Sequence, residues 1–292
     1  MPAASRRAVL ALAGGAMAGC TWDPLHDHRG ADAPALNPWA RPLRTAWVFS
    51  SGGPRGLVHV GVVKALDELG LVPDLIVGAS VGAVVGVLRA AGLRGPTLES
   101  VALRMRPAML MRLARFGDTW LSGAGLAEWV RECVAGRCLQ ELDLPVACVA
   151  RRPLRGDIVA FNQGDAGLAV QASAAIEGQF APVRIRGDLH ADADLQQPLP
   201  VRLARALGAR RVLAIDASAH EDKAPPGTEA WRAGDLRKRM LTQPDAQSAD
   251  LLLHPDTGYY AGFSPAYRVR TIEIGYRETL AARDRLRALH AA

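Results

Sequence analysis

The chain has 292 residues, of which 49% are hydrophobic, so it is long enough and apolar enough to bury a sizeable core. This composition excludes general disorder. The net charge of +6 is spread along the chain, with no nucleic-acid-binding motif and no aromatic residues interleaved with the basic ones. We therefore expect a solvated basic surface and no nucleic-acid partner.

The first nineteen residues differ from the rest of the chain. Arg6 and Arg7 precede an apolar run over residues 8–18, which is too short to span a bilayer and is typical of a secretory signal. The small residues just before Cys20 resemble a bacterial lipobox, and the paired arginines resemble a twin-arginine export signal. We expect residues 1–19 to be a lipoprotein signal and Cys20 to carry a lipid anchor at the periplasmic face of the cell envelope. A plain cleaved signal is the alternative.

Residues 20–43 are rich in proline and charge and lack apolar periodicity, which predicts a tether. A single domain is expected over residues 44–292. It opens with an apolar strand at 45–49, a helix over 58–69 and a second buried strand at 75–77, after which another helix follows. Strands that alternate with helices in this way predict an α/β fold with a mainly parallel sheet.

Later elements are predicted from the same periodicities. Residues 96–142 are expected to be helical, with Trp120 among the anchors, and residues 217–247 to form a polar surface excursion. Between and after these segments we predict strands at 145–150, 157–161, 211–216 and 249–253, and helices at 168–176, 201–207 and 271–289.

Ser80 lies in a G-x-S-x-G segment between a predicted strand and a predicted helix. Gly78 and Gly82 permit the sharp turn that lifts a serine hydroxyl clear of a sheet. The N-terminus of the following helix favours negative charge beside the serine. These features make Ser80 the candidate nucleophile.

A second glycine-rich turn, residues 51–56, also lies between a strand and a helix. It matches neither the dinucleotide-binding pattern, because Ser51 stands where the first glycine belongs, nor the P-loop, because no Lys-Ser or Lys-Thr pair follows. The backbone amides of Gly52 and Gly53 are suited to an oxyanion hole, with the positive charge of Arg55 nearby. The three cysteines beyond Cys20 have no metal-ligand spacing, so no metal is expected.

The general base is less clear from the residues alone. His190 is the one histidine retained as a candidate, because it stands two residues before Asp192. A Ser-His-Asp triad therefore remains an open alternative.

Residues 50–69, 74–91, 172–183 and 192–201 together resemble bacterial patatin-like phospholipases. The resemblance implies a three-layer fold with a mainly parallel central sheet, related in its logic to the α/β-hydrolases. It also implies a Ser80–Asp192 dyad without histidine, a phospholipid, lysophospholipid or other acyl-lipid substrate, and no metal or organic cofactor.

The chain departs from the family pattern at three places. Ser51 replaces a glycine, Ala193 and Asp194 replace the two glycines after the aspartate, and Glu177 replaces a frequent proline. Alanine needs a negative φ at position 193, and Asp194 adds a like charge beside Asp192. The sequence thus predicts a lipid acyl hydrolase, with a catalytically impaired lipid-binding or scaffold lipoprotein as the alternative.

Overall fold

The computed structural model describes residues 26–39 and 42–291, so the signal at 1–19 and Cys20 lie outside the described residues. The strands are β1 (Asp27–His28), β2 (Thr45–Phe49), β3 (Leu75–Ala79), β4 (Arg112–Phe116), β5 (Thr119–Ser122), β6 (Val146–Arg152), β7 (Asp157–Phe161), β8 (Val183–Ile185), β9 (Asp188–Asp192), β10 (Arg211–Ile215) and β11 (Leu251–Leu253). The helices are α1 (Val58–Glu68), α2 (Val81–Ala90), α3 (Gly95–Arg104), α4 (Ala124–Cys133), α5 (Ala166–Ser173), α6 (Val201–Ala206), α7 (Glu229–Ser248), α8 (Pro265–Ala281) and α9 (Arg283–Ala291).

Most of these strands form one sheet, in the order β1-β8-β9-β6-β3-β2-β10-β11, with β7 also paired to β6. The central pairs β6-β3, β3-β2, β2-β10 and β10-β11 are parallel, whereas β7 and β9 pair antiparallel with β6. The carboxyl ends of the parallel strands therefore meet at one edge of the sheet, which is where ligand sites form in open α/β folds.

The sheet is covered on both faces. Trp47 and Phe49 of β2 point into a core built with α1, α2 and neighbouring helices, while Ala46 and Val48 point into a second core that includes α6. Successive strand residues face opposite sides, so burial of all five residues of β2 requires a layer on each side. The expected three-layer α/β fold with a mainly parallel sheet is confirmed.

The segment expected to be a tether is partly folded. Its residues 27 and 28 form β1, which pairs parallel with β8, and Ala35 bridges Gln163. Ala33 and Leu43 are buried. The expectation was wrong for these residues because backbone pairing of two or three residues leaves no periodicity in the sequence.

Two other expectations need correction. Residues 96–142 are not helical throughout, since β4 and β5 form a hairpin between α3 and α4, and Trp120 is an exposed β5 residue against which Arg115 stacks. The polar stretch 217–247 contains most of α7, a 20-residue helix. Within the described part of the chain, no helix combines the length and apolar character needed to cross a membrane.

Close backbone contact fixes α1, the helix that follows the glycine-rich turn. A Cβ on Gly61 would overlap the carbonyl oxygen of Ile272 in α8, and one on Gly275 would overlap the carbonyl oxygen of Val58. Glycine at both positions lets the two helices cross in direct backbone contact.

We expect Gly61→Ala to lower the free energy of unfolding by about 2 kcal/mol or more, because α8 must move away from α1. Urea denaturation measures this. Gly234→Ala is the matched control: a Cβ there meets nothing within 4 Å in exposed α7. Since alanine favours a helix interior over glycine, the control should be neutral or more stable by up to about 1 kcal/mol. Equal destabilisation by both variants would contradict this account of the helix crossing.

Candidate active site

Ser80 lies between β3 and α2 with φ of 56° and ψ of −125°. A non-glycine residue at positive φ is strained by about 1–3 kcal/mol and persists only where its surroundings hold it. The Ser80 amide donates to Ser173 Oγ (2.9 Å), and the Ser173 hydroxyl donates to the carbonyl oxygen of Val149 (2.6 Å). Ser173 on α5 thus ties the turn to β6.

The two flanking glycines are required by close approach of backbone. A Cβ on Gly78 would overlap the Gly82 carbonyl, and one on Gly82 would overlap the carbonyl oxygens of Phe49 and Ser50. The second of these contacts also places the Ser80 turn directly against the start of the glycine-rich turn. The expected elbow geometry is therefore present, with the hydroxyl-bearing residue at its apex.

Asp192 reaches Ser80 through the register of the sheet. Ala79 of β3 pairs with Val149 of β6, and the next β6 residue, Ala150, pairs with Asp192 of β9. One further residue along β3 brings Ser80 level with Ala150, so Ser80 and Asp192 flank the same position of β6. The structure thereby brings together the two residues expected to form a dyad.

The Asp192 carboxyl is almost fully buried, with 3% of the residue exposed. Its Oδ1 accepts a hydrogen bond from the Asp194 amide (2.9 Å), whereas Oδ2 makes no full hydrogen bond to any described residue. Burial raises the pKa of Asp192 to about 7, and the nearby Ser80 hydroxyl opposes this rise by stabilising the charged form. The carboxyl is therefore a proton acceptor matched to neutral pH.

The glycine-rich turn presents free amides. Residues 53–57 form a 3₁₀ helix, and the Arg55 amide donates to the Gly52 carbonyl (3.1 Å). The amides of Gly52 and Gly53 donate to no acceptor among the described residues, which leaves them available to an oxyanion. The Arg55 guanidinium donates to the carbonyl oxygen of Tyr259.

A cavity of about 320 Å³ adjoins this turn, with Gly52, Arg55, Asp194, Arg237 and Lys238 among its lining residues. Ser80 and Asp192 are not part of the lining. The lining contains three basic residues, Arg55, Arg237 and Lys238, and two acidic ones, Asp194 and Asp235, and Lys238 is paired with Asp194. The described residues contain no cluster of three His, Cys, Asp or Glu side chains able to hold a metal ion.

The histidine alternative receives no geometric support. The His190 ring packs against Phe161 at 5.2 Å between ring centroids, and its Nδ1 has no partner among the described residues. Burial lowers the pKa of His190. The buried His59 donates from Nε2 to the carbonyl of Ser50 (2.9 Å), and burial lowers its pKa to about 4. Its ring is therefore neutral and supports the glycine-rich turn.

The structure accommodates each residue that departs from the family pattern. Ala193 is buried in the second core, and the described non-glycine residues with positive φ are confined to Ser80, Ala135 and Arg186, so alanine at 193 is unstrained. Glu177 pairs with Arg151, whose Nε donates to the carbonyl oxygen of Asp192 (3.2 Å).

Asp194 and Ser51 share one further partner. Asp194 accepts hydrogen bonds from Lys238 (2.6 Å) and from the Ser51 hydroxyl. Burial acts to raise the pKa of Asp194, but the charge of Lys238 and these hydrogen bonds outweigh it and hold the pKa below its usual value. Sequence reasoning missed Lys238 and the role of Ser173, although Ser173 lies in a stretch that resembles the family.

The sequence profile of the patatin-like phospholipase family matches residues 47–205, which is more than half of the chain. The chain belongs to the patatin-like phospholipase family. The match contains Ser80, Asp192 and the glycine-rich turn, and it ends before α7. The resemblance seen in the sequence is thus confirmed.

Relatives of this patatin-like chain are considerably longer. An uncharacterized NTE family protein of Mycobacterium tuberculosis is 35% identical over 193 residues, covering 64% of this chain and 52% of that protein. Lysophospholipase NTE1 of Mycosarcoma maydis is 27% identical over 184 residues, covering 61% and 10%. The chain thus spans about half the length of the mycobacterial relative and less of the fungal one.

A solved structure shares the fold. VipD from Legionella pneumophila superimposes with a TM-score of 0.58 at 13% identity, covering 87% of this chain and 70% of VipD. At this identity the likeness concerns the arrangement of helices and strands alone.

The buried Asp192 carboxyl predicts a pH dependence of stability. Because its pKa is raised to about 7, the folded state holds this proton more tightly than the unfolded state, and stability is lost as pH rises through that value. Relative to Asp192→Asn, we expect the wild-type protein to lose up to about 4 kcal/mol of unfolding free energy between pH 4 and pH 8.

Urea denaturation at a series of pH values measures this difference. Asp118→Asn, at an exposed turn between β4 and β5, is the control and should follow the wild-type curve. Parallel curves for wild type and Asp192→Asn would show that the carboxyl is not held protonated by burial.

Proposed function

We propose that the chain is a serine hydrolase of acyl-lipid esters, of the phospholipase A or lysophospholipase type, with Ser80 as nucleophile and Asp192 as base. The observation that carries this proposal is the buried Asp192 carboxyl, with an unsatisfied Oδ2 and a pKa of about 7, flanking the strained Ser80 turn. Perturbed carboxyls of this kind are characteristic of catalytic sites.

The reaction proceeds through an acyl-enzyme. Asp192 Oδ2 accepts the Ser80 proton while Ser80 Oγ attacks the ester carbonyl carbon, and the carbonyl electron pair moves to oxygen. The amides of Gly52 and Gly53 donate to that oxyanion, and loss of one such donor typically costs about 3 kcal/mol of transition-state stabilisation. Collapse expels the alcohol, which takes the proton from Asp192. A water molecule, deprotonated by Asp192, then attacks the acyl carbon. Collapse of this second intermediate releases the fatty acid, and Asp192 returns the proton to Ser80 Oγ.

Membership of the patatin-like phospholipase family and a relative named as a lysophospholipase support a lipid substrate. A lipid anchor at Cys20 would hold an exported domain at the membrane where such esters are found. No organic cofactor or metal is needed for this chemistry.

Reaction with a fluorophosphonate probe tests the nucleophile. We expect the wild-type protein to be labelled and Ser80→Ala to be unlabelled, because the probe forms a covalent bond with an activated serine. Asp192→Asn should lower the labelling rate at least about 100-fold, the lower range of general-base contributions. The rate should rise with pH about a midpoint near 7, since the base must be ionised.

His190→Gln separates the dyad from a Ser-His-Asp triad, because it keeps the volume of the buried ring while removing its basicity. Labelling of this variant should match the wild type, and its loss would instead support the triad. If the wild type resists the probe as fully as Ser80→Ala, the hydrolase proposal fails and a lipid-binding or scaffold role remains. A panel of phospholipid and lysophospholipid esters then identifies the preferred head group and acyl position.

A further inference from the structure

Helix α7 lies against the active-site edge through polar contacts. The Tyr259 hydroxyl donates to Asp235 (2.8 Å), and Asp245 accepts from the Arg202 amide (2.7 Å) and from Gln197 (3.0 Å). Between these two anchors, Lys238 points toward the turn that carries Asp192. This helix lies beyond residues 47–205, the part of the chain that matches the family profile.

Lys238 contacts two of the residues that depart from the family pattern, Asp194 and Ser51. Its Nζ donates to Asp194 Oδ1 (2.6 Å) and to Ser51 Oγ (3.1 Å), and the Ser51 hydroxyl also donates to Asp194. The Asp194 amide in turn donates to Asp192 Oδ1 (2.9 Å). Ser51 directly precedes Gly52, and its own amide is fixed by the Pro198 carbonyl (2.9 Å). The cluster of Ser51, Asp194 and Lys238 thus connects the base to the glycine-rich turn.

We propose that Lys238 is a positioning residue that neutralises Asp194, keeping this second carboxylate from disabling Asp192, and that holds Ser51 and the glycine-rich turn in register. The proposal rests on the proposed function of Ser80 and Asp192. In place of two glycines that carry no charge, this chain uses an aspartate whose charge is matched by a lysine from a separate helix.

The charges around Asp192 give this proposal its direction. Asp194 acts to raise the pKa of Asp192 and Lys238 acts to lower it. From β6, Arg151 contacts the Asp192 backbone carbonyl and is itself paired with Glu177, while His190 on the same strand as Asp192 packs on Phe161. Loss of Lys238 would leave the partly buried Asp194 carboxylate beside the base without a counter-charge, whereas loss of Asp194 would leave the lysine unmatched.

The two single substitutions should therefore act in opposite directions. Lys238→Met should move the titration midpoint of Asp192 to higher pH, and Asp194→Asn should move it to lower pH. The double variant should return close to the wild-type midpoint, and Lys238→Arg should remain close to it. A purely structural role would impair both single variants in the same direction, so the signs separate the two explanations.

The midpoint is measured directly from the ¹³Cγ resonance of Asp192 in protein labelled with ¹³C-aspartate, assigned with Asp192→Asn. Fluorophosphonate labelling is the second readout. For each protein the labelling rate at pH 6 is divided by the rate at pH 9, and this ratio should be at least about threefold lower in Lys238→Met than in the wild type. Arg232→Met, which removes the same charge from the exposed surface of α7, is the control and should leave the midpoint unchanged.

An Asp192 midpoint that does not move in Lys238→Met, or that moves the same way in Lys238→Met and Asp194→Asn, would overturn the proposal. The titration does not depend on turnover. If the wild type fails to react with the probe while the opposite midpoint shifts are observed, the hydrolase function is wrong but the charge compensation by Lys238 stands.

Discussion

The Ser80 turn depends on backbone segments that approach more closely than any side chain would permit. Gly78 contacts Gly82 across the turn, and Gly82 contacts the carbonyls that end β2. These contacts hold Ser80 at positive φ and also bring two successive loops of the sheet together. Ser80, the proposed nucleophile, and the glycine-rich turn are consequently positioned by one set of contacts, and a change at either glycine disturbs both.

Asp192, the proposed base, is positioned by a different set of interactions. Asp192 ends an antiparallel strand beside β6, and burial, rather than an acidic neighbour, is the main cause of its raised pKa. A carboxyl buried in this way destabilises the fold when it ionises, so the property that suits it to accept a proton near pH 7 opposes stability at the same pH. Arg151 donates to the Asp192 backbone carbonyl, and the Asp194 amide donates to Asp192 Oδ1. Neither contact reaches Oδ2. Such an arrangement favours reactivity over stability at one residue.

Much of the site was predictable because its signals are local. The glycines around Ser80 and the turn at Gly52 and Gly53 follow from the need for close backbone approach, and alternating strands and helices predict which loops meet. Lys238 was not predictable, since α7 attaches through polar residues and shows no apolar face in the sequence. The β4-β5 hairpin was missed because the sequence predicts Trp120 to be a buried anchor of a helix, whereas it is an exposed residue of a short hairpin. The hydrogen bonds among Ser51, Asp194 and Lys238 join residues that are far apart in the chain, so the sequence alone does not show that these residues meet.

Strand β1 changes the geometry of the proposed membrane attachment. A free segment over residues 20–43 would let the domain move up to about 80 Å from an anchored Cys20, at about 3.5 Å for each extended residue. Because residues 27 and 28 are already paired with β8, the span from Cys20 to the folded sheet is only seven residues, or about 25 Å at most. An anchored domain would therefore keep the β1 edge of its sheet within one bilayer thickness of the lipid head groups. With so short a segment between Cys20 and β1, an anchored domain would reach lipids of the membrane that carries it.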